Sequence, residues 1–200
     1  MITVCLDTSH IFLVIALIED GKILASVQEK CWKKQSEELF PRLIGLLEKT
    51  GKTPEDIGKI VVTLGPGSYT GVRIALTFAK VFAAMKGIPV YTLKSLQLCA
   101  GTEENARVLY DARGHRAYQA VYSNGEEILS PEARDIGEIG MAVSEDEKIL
   151  GDGHLIERED CWPDLAENFL LLEKKWEKAE NVHLLTPVYL KPAEAYLVKK

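Results

Sequence analysis

The sequence predicts an α/β protein built as two related lobes, the second reduced. Three observations carry this reading. The chain opens with apolar runs broken by an Asp-Gly pair, the pattern of an antiparallel strand meander. Two helical segments rich in apolar residues follow, interleaved with short strands. The opening pattern then returns: placing Asp7 on Asp111, an offset of 104, brings Ala16 onto Ala120, Asp20 onto Asn124 and Gly21 onto Gly125. A chain of 200 residues hides about 70% of its unfolded surface, enough for a sizeable core.

The elements follow in order. Ile2, Val4 and Leu6 alternate with Thr3, Cys5 and Asp7, as in a half-buried strand. Phe12 to Ile18 is a continuous apolar run, which suits a strand buried on both faces. Asp20-Gly21 turns the chain, and Ile23, Ala25 and Val27 alternate after it. A helix lies between Ser36 and Lys49, with Leu39, Leu43 and Leu46 on one stripe and Phe40, Ile44 and Leu47 on the next. Pro41 either starts that helix or bends it. Thr53-Pro54-Glu55-Asp56 is a helix-start signature, and Lys59 to Leu64 is a strand broken by Gly65–Gly71. A second helix runs to Lys86, stopped by Gly87 and Pro89, before a strand at Val90–Leu93. In the second half, Lys148–Leu150 is a strand, 164–178 a helix carrying Leu165, Phe169, Leu172 and Trp176, and 186–190 extended.

Composition bounds the function. The chain is 46% hydrophobic and 27% charged, with net charge −6. Residues 1–100 hold 12 Lys/Arg against 9 Asp/Glu, and residues 101–200 hold 12 against 21. So acidic a chain is a poor stand-alone binder of nucleic acid. The apolar run Ile11–Ile18 is too short to span a bilayer, and no secretory signal is evident. Cys5, Cys31, Cys99 and Cys161 form no CxxC pair, which fits a reducing cytosol. A cytoplasmic location is expected.

Two loops could bind an anion. Asp7-Thr8-Ser9 ends the first strand, although such residues also cap their own turn. Gly65, Gly67 and Ser68 open the 65–71 segment between a strand and a helix, where backbone N–H groups favour negative charge. That segment is neither a Walker A loop nor GxGxxG, and a tight structural turn is the competing reading. Asp111-Ala112-Arg113, the counterpart of the first loop, lacks its hydroxyls. His10, His115, His154 and His183 have no ligand-like spacing, and Asp152, His154, Glu157 and Glu159 read as a solvated loop. Trp162 and Trp176 read as packing residues. The second helix is apolar nearly all round, interrupted only by Arg73, Thr77 and Lys80, so it must be buried on more than one side. Either the two helices pack on each other, or they form a subunit interface.

The motifs resemble those of the bacterial TsaB (YeaZ) family. Gly65-Pro66-Gly67-Ser68-Tyr69-Thr70-Gly71-Val72-Arg73-Ile74 is similar to its GPGSFTGLRIG signature. Leu6–Ser9 resembles its LDTS, Gln35–Pro41 its HSERLLP, Asp111–Arg113 its DAR, Gly151–Gly153 its GDG and Pro187–Lys191 its P-x-Y-L-R. Gln35 stands where a His is common there, and Lys191 where an Arg is.

The resemblance implies two ribonuclease-H-like lobes of the actin/Hsp70/sugar-kinase (ASKHA) type, here at residues 1–102 and 103–200. It implies a non-catalytic dimerisation subunit in making threonylcarbamoyladenosine (t6A) at position 37 of tRNAs reading codons that begin with A. Transfer chemistry would belong to the paralogue TsaD, with the ATPase TsaE as third member, and tRNA would be met only through the complex. Pairing with itself or with TsaD would use the first lobe, here Leu39, Leu43, Leu46, Leu47, Arg73, Ile74, Thr77, Phe78, Val81 and Met85. ATP would serve the complex and no cofactor would be tightly bound by this chain; a nucleotide at the partner interface stays open. The paralogue's His-x-x-x-His metal segment, laid on this sequence from Pro89, falls on Ser95 and Cys99, so no metal is expected. A glycoprotease-like metallopeptidase and a small-molecule kinase of the same fold are the competing functions.

Overall fold

The computed structural model describes residues 1–31 and 33–191; the last nine residues assigned to the second lobe lie outside the described residues. The first lobe opens with strands β1 (Ile2–Asp7), β2 (Phe12–Glu19) and β3 (Lys22–Lys30), paired antiparallel as a meander. Helix α1 (Gln35–Lys49) and a capped 3-10 turn at Pro54–Asp56 lead into β4 (Ile57–Thr63), which lies parallel to β1. Helix α2 (Tyr69–Lys86) and β5 (Val90–Leu93) complete a second parallel pairing, followed by the short helix α3 (Ser95–Ala100). α2 starts on Ser68, whose hydroxyl accepts from Gly71 N–H, and stops at Gly87, which takes the left-handed conformation at φ 66°.

The second lobe repeats this plan. Strands β6 (Ala106–Asp111), β7 (Arg116–Ser123) and β8 (Glu126–Asp135) start at the positions that the 104-residue offset assigns. β9 (Lys148–Gly151) lies parallel to β6, as β4 does to β1. The repeat is not strict in register. Asp7 faces Val14, whereas Asp111 faces Ala117, one residue short of the equivalent Tyr118. Helix α4 (Ile136–Ala142) covers the outer face and is capped by Asp135; the sequence reading missed both it and α3.

The layers run α1 and α2, first sheet, α3 with a fifth helix, second sheet, α4. Ile2, Val4, Leu6, Leu13, Ile15 and Leu17 face α1 and α2. Cys5, Val14, Ala16 and Ile18 face the other way, into a core shared with Val108, Tyr110, Ala120 and Tyr122 of the second sheet. β1 is therefore buried on both faces, not half-buried as its alternation suggested, because the second lobe covers its Thr3-Cys5-Asp7 side.

The predicted helix 164–178 is shorter than its periodicity. Helix α5 spans Leu165–Leu171, a 3-10 turn takes Glu173–Lys175, and β10 (Glu177–Lys178) pairs antiparallel with β5 at the edge of the first sheet. The order of that sheet is β10-β5-β4-β1-β2-β3; the other is β8-β7-β6-β9. The last turn tightens where Trp176 folds back, its indole N–H donating to Phe169 O at 3.1 Å. Gln28 of β3 accepts from Leu165 N–H and donates to Pro163 O, fixing the start of α5 on the first sheet. Pro41 lies inside α1, which starts six residues before it.

Candidate functional site

The site is built on the contact between two loops. Thr8 Oγ1 donates to Gly71 O at 2.7 Å and accepts from Ala75 N–H, so one buried hydroxyl joins β1 to the first turns of α2. Ser68 N–H donates to Ser9 O at 2.7 Å. A Cβ on Gly67 would lie 2.3 Å from Ser9 O, and one on Gly71 2.1 Å from Thr8 O. The glycines thus permit backbone-to-backbone approach. Asp7, Thr8 and Ser9 are buried. Asp7 accepts from Thr63 Oγ1 and from Ser9 N–H, and burial pushes its carboxyl above the usual range despite those bonds. The N–H groups of Ser68 and Gly71 are spent within the clamp. What the predicted anion residues build here is the mounting of α2.

That mounting presents a face. Arg73, Ile74, Thr77, Phe78, Val81 and Met85 of α2 and Leu39 of α1 line a groove of about 680 Å³. Phe40, Tyr69 and Phe82 also line it, with Ser36 and Thr70, and the sequence reading did not assign them to it. Phe40 packs edge-on against Phe78, with Phe82 stacked beyond. Phe40 is 57% exposed, Ile44 50%, Val81 53% and Met85 82%. Leu43, Leu46 and Leu47, predicted at the interface, instead turn inward onto the sheet. The stripe through Phe40 and Ile44 faces outward in their place. At one end Arg73 Nη1 donates to Tyr69 Oη at 3.2 Å.

A second cluster lies between the lobes. His10 Nε2 is 2.8 Å from Asp152 Oδ2, which also accepts from Asp111 N–H at 2.7 Å. Tyr110 and Trp162 flank the His10 ring, each with centroids 4.6 Å away. Asp152 is therefore a buried hub, not part of a solvated loop as its neighbours suggested. His154 and Asp160 bring their ligand atoms within 4.8 Å of Asp152, but Asp160 Oδ1 already holds both the ring and the backbone N–H of His154. Ser95 and Cys99, where no metal was expected, lie buried on α3. Ser95 Oγ accepts from Gly65 N–H, and burial pushes the Cys99 thiol up from its ordinary range.

A family model described as TsaD, tRNA N6-adenosine threonylcarbamoyltransferase, matches residues 26–157. The tRNA threonylcarbamoyladenosine biosynthesis protein TsaB of Bacillus subtilis is 30% identical, over 98% of this chain and 96% of its own. The chain belongs to the TsaB/YeaZ family. The TsaB of Escherichia coli is also 30% identical, over 81% of this chain and 74% of its own. Two Pseudomonas aeruginosa structures share the fold. A protein described as similar to peptidase YEAZ has TM-score 0.79 at 24% identity, covering 95% of this chain and 99% of its own. The structure described as YeaZ has TM-score 0.72 at 23% identity, covering 94% and 99%. With the repeated meander and its parallel fourth strand, they make this a two-sheet α/β fold of the TsaB/YeaZ kind. Among the described residues, no helix is long and apolar enough to cross a membrane.

Proposed function

We propose that this chain is the non-catalytic docking subunit of a cytosolic complex that makes t6A at position 37 of tRNAs reading codons that begin with A. The groove between α1 and α2 carries the reading: its lining exposes Phe40, Val81 and Met85, and apolar surface of that kind marks an interface. The groove receives a second copy of the chain, or a TsaD-type paralogue that performs the transfer. A TsaE-type ATPase joins the complex and uses ATP there. tRNA is held by the complex, since the acidic second half offers little to phosphates. No catalytic metal is assigned to this chain, since a serine and a single cysteine stand where the paralogue's motif has its two histidines.

The test is reconstitution. The purified chain alone should leave substrate tRNA unmodified and contain less than one equivalent of zinc or iron. Adding the TsaD-type paralogue and the ATPase should give threonylcarbamoyl transfer, and Val81→Glu in this chain should abolish that gain. Transfer by the chain alone, or an equimolar tightly held metal, would overturn the proposal.

A further inference from the structure

Beyond the 3-10 turn at Val182–Leu184, the chain crosses the molecule without joining a helix or strand. It is tied down at several points. Lys80 of α2 donates to His183 O at 2.9 Å and to Leu185 O at 3.0 Å. Val188 N–H donates to Leu64 O at 2.7 Å, just past the end of β4. Gly65, at φ +94°, lets this backbone pass: a Cβ there would meet Val188 O at 3.2 Å. Tyr189 stacks on Tyr69, the first residue of α2, with ring centroids 5.3 Å apart. A hydrogen bond with Tyr189 is also the first cause raising the Arg73 guanidinium. Leu190 packs on the core shared by both sheets. Lys191 then reaches the second lobe. Its ammonium donates to Ala112 O and, at 3.1 Å, to Arg113 O, in the turn between β6 and β7.

One short segment therefore touches the groove's Tyr69–Arg73 end and the second lobe's first turn. We propose that residues 186–191 form a strap that orders the Tyr69–Arg73 end of the groove from the second lobe, so that strap docking and partner docking are coupled. The proposal rests on the reading of the groove as a partner face. The lysine fits this part because its donors satisfy two carbonyls that the β6–β7 turn leaves open, and Tyr118 lies beneath it at 6.0 Å. The tyrosine fits because its ring forms a wall against Tyr69 without filling the groove.

The experiment uses the full chain with Lys191→Met, which keeps the stem and removes the donors, and Tyr189→Ala. Amide exchange is followed at Val188 (bonded to Leu64 O), at Ala112 (bonded to Arg116 O) and at Val72 (bonded to Ser68 O). Self-association is followed by sedimentation. Lys191→Met should speed exchange at Val188 and Ala112 and, through the strap, at Val72. Self-association should weaken at least about fivefold, the lower end of ordinary coupling between sites. Tyr189→Ala should act at Val72 and leave Ala112 protected. Release of Val188 with Val72 unchanged would overturn the proposal, as would unchanged exchange at Val188 in Lys191→Met. If the wild-type chain proves monomeric, the second-copy reading of the groove fails, while the linkage between Val188 and Val72 still decides whether the strap exists.

Discussion

At the residue scale, the loop contact that mounts α2 leaves no room for a methyl group. The obstacle to a Cβ on Gly71 is the carbonyl of Thr8, which cannot swing aside as a flexible side chain would. Gly71→Ala should therefore cost about 1–3 kcal/mol, as overpacking usually does. A lowered urea midpoint at unchanged slope would show it; an unchanged midpoint would refute it. Asp7 beside it makes a pH prediction. Burial lifts its carboxyl above 3.8, outweighing the hydrogen bonds from Thr63 and Ser9. The folded state then holds the proton more tightly than the unfolded chain. This contribution to stability is full below the unfolded pKa of about 3.9 and is lost as pH rises through the folded value. Asp7→Asn keeps an acceptor oxygen and removes the charge. Relative to wild type it should gain stability at neutral pH compared with about pH 4. An equal difference at both pH values would show that Asp7 titrates alike in the folded and unfolded states.

At the element scale, α1 and α2 each serve two masters, the sheet and the groove. Leu43 is 4% exposed against the sheet, and Leu43→Ala should cost about 2–5 kcal/mol. Val81 faces out, and Val81→Glu should change stability by no more than about 0.5 kcal/mol. It should still weaken self-association about tenfold, as loss of an interface anchor does. Thermal unfolding and sedimentation of the same two samples separate these effects; if Val81→Glu unfolds the protein, the groove is core. This division of labour was half legible in the sequence. Both stripes of α1 are visible, but they lie one residue apart and are equally apolar, so only packing decides that Leu39 and Leu43 go in while Phe40 and Ile44 stay out. The meander and its repeat were legible because period-two alternation and Asx-Gly turns are local signals. The end of α5 was not, because Trp176 leaves the helix to meet Phe169 and Tyr91. Nor was the burial of Asp152, whose partner His10 lies 142 residues away.

At the scale of the whole molecule, the two sheets share one core, and the chain returns from the second sheet to add β10 to the edge of the first. α3 and α5 lie between the sheets, and the core they occupy takes Cys5, Val14 and Ala16 from one lobe and Val108, Tyr110 and Tyr122 from the other. Asn168 of α5 donates to Leu98 O of α3 at 2.9 Å, so the two interlayer helices are also tied to each other. The space between the sheets is filled by apolar side chains and by His10, held between Tyr110 and Trp162. Phe169, fully buried among these groups, tests the consequence. Phe169→Ala should cost about 3–5 kcal/mol. For a chain of this size that lowers the thermal midpoint by about 6–20 °C. Because the lost contacts belong to both lobes, the variant should still melt in one transition, with calorimetric and van't Hoff enthalpies equal. Two resolved transitions, or a first lobe that keeps its midpoint while the second melts early, would mean that the lobes fold separately. The groove would then lose its rigid connection to the second lobe.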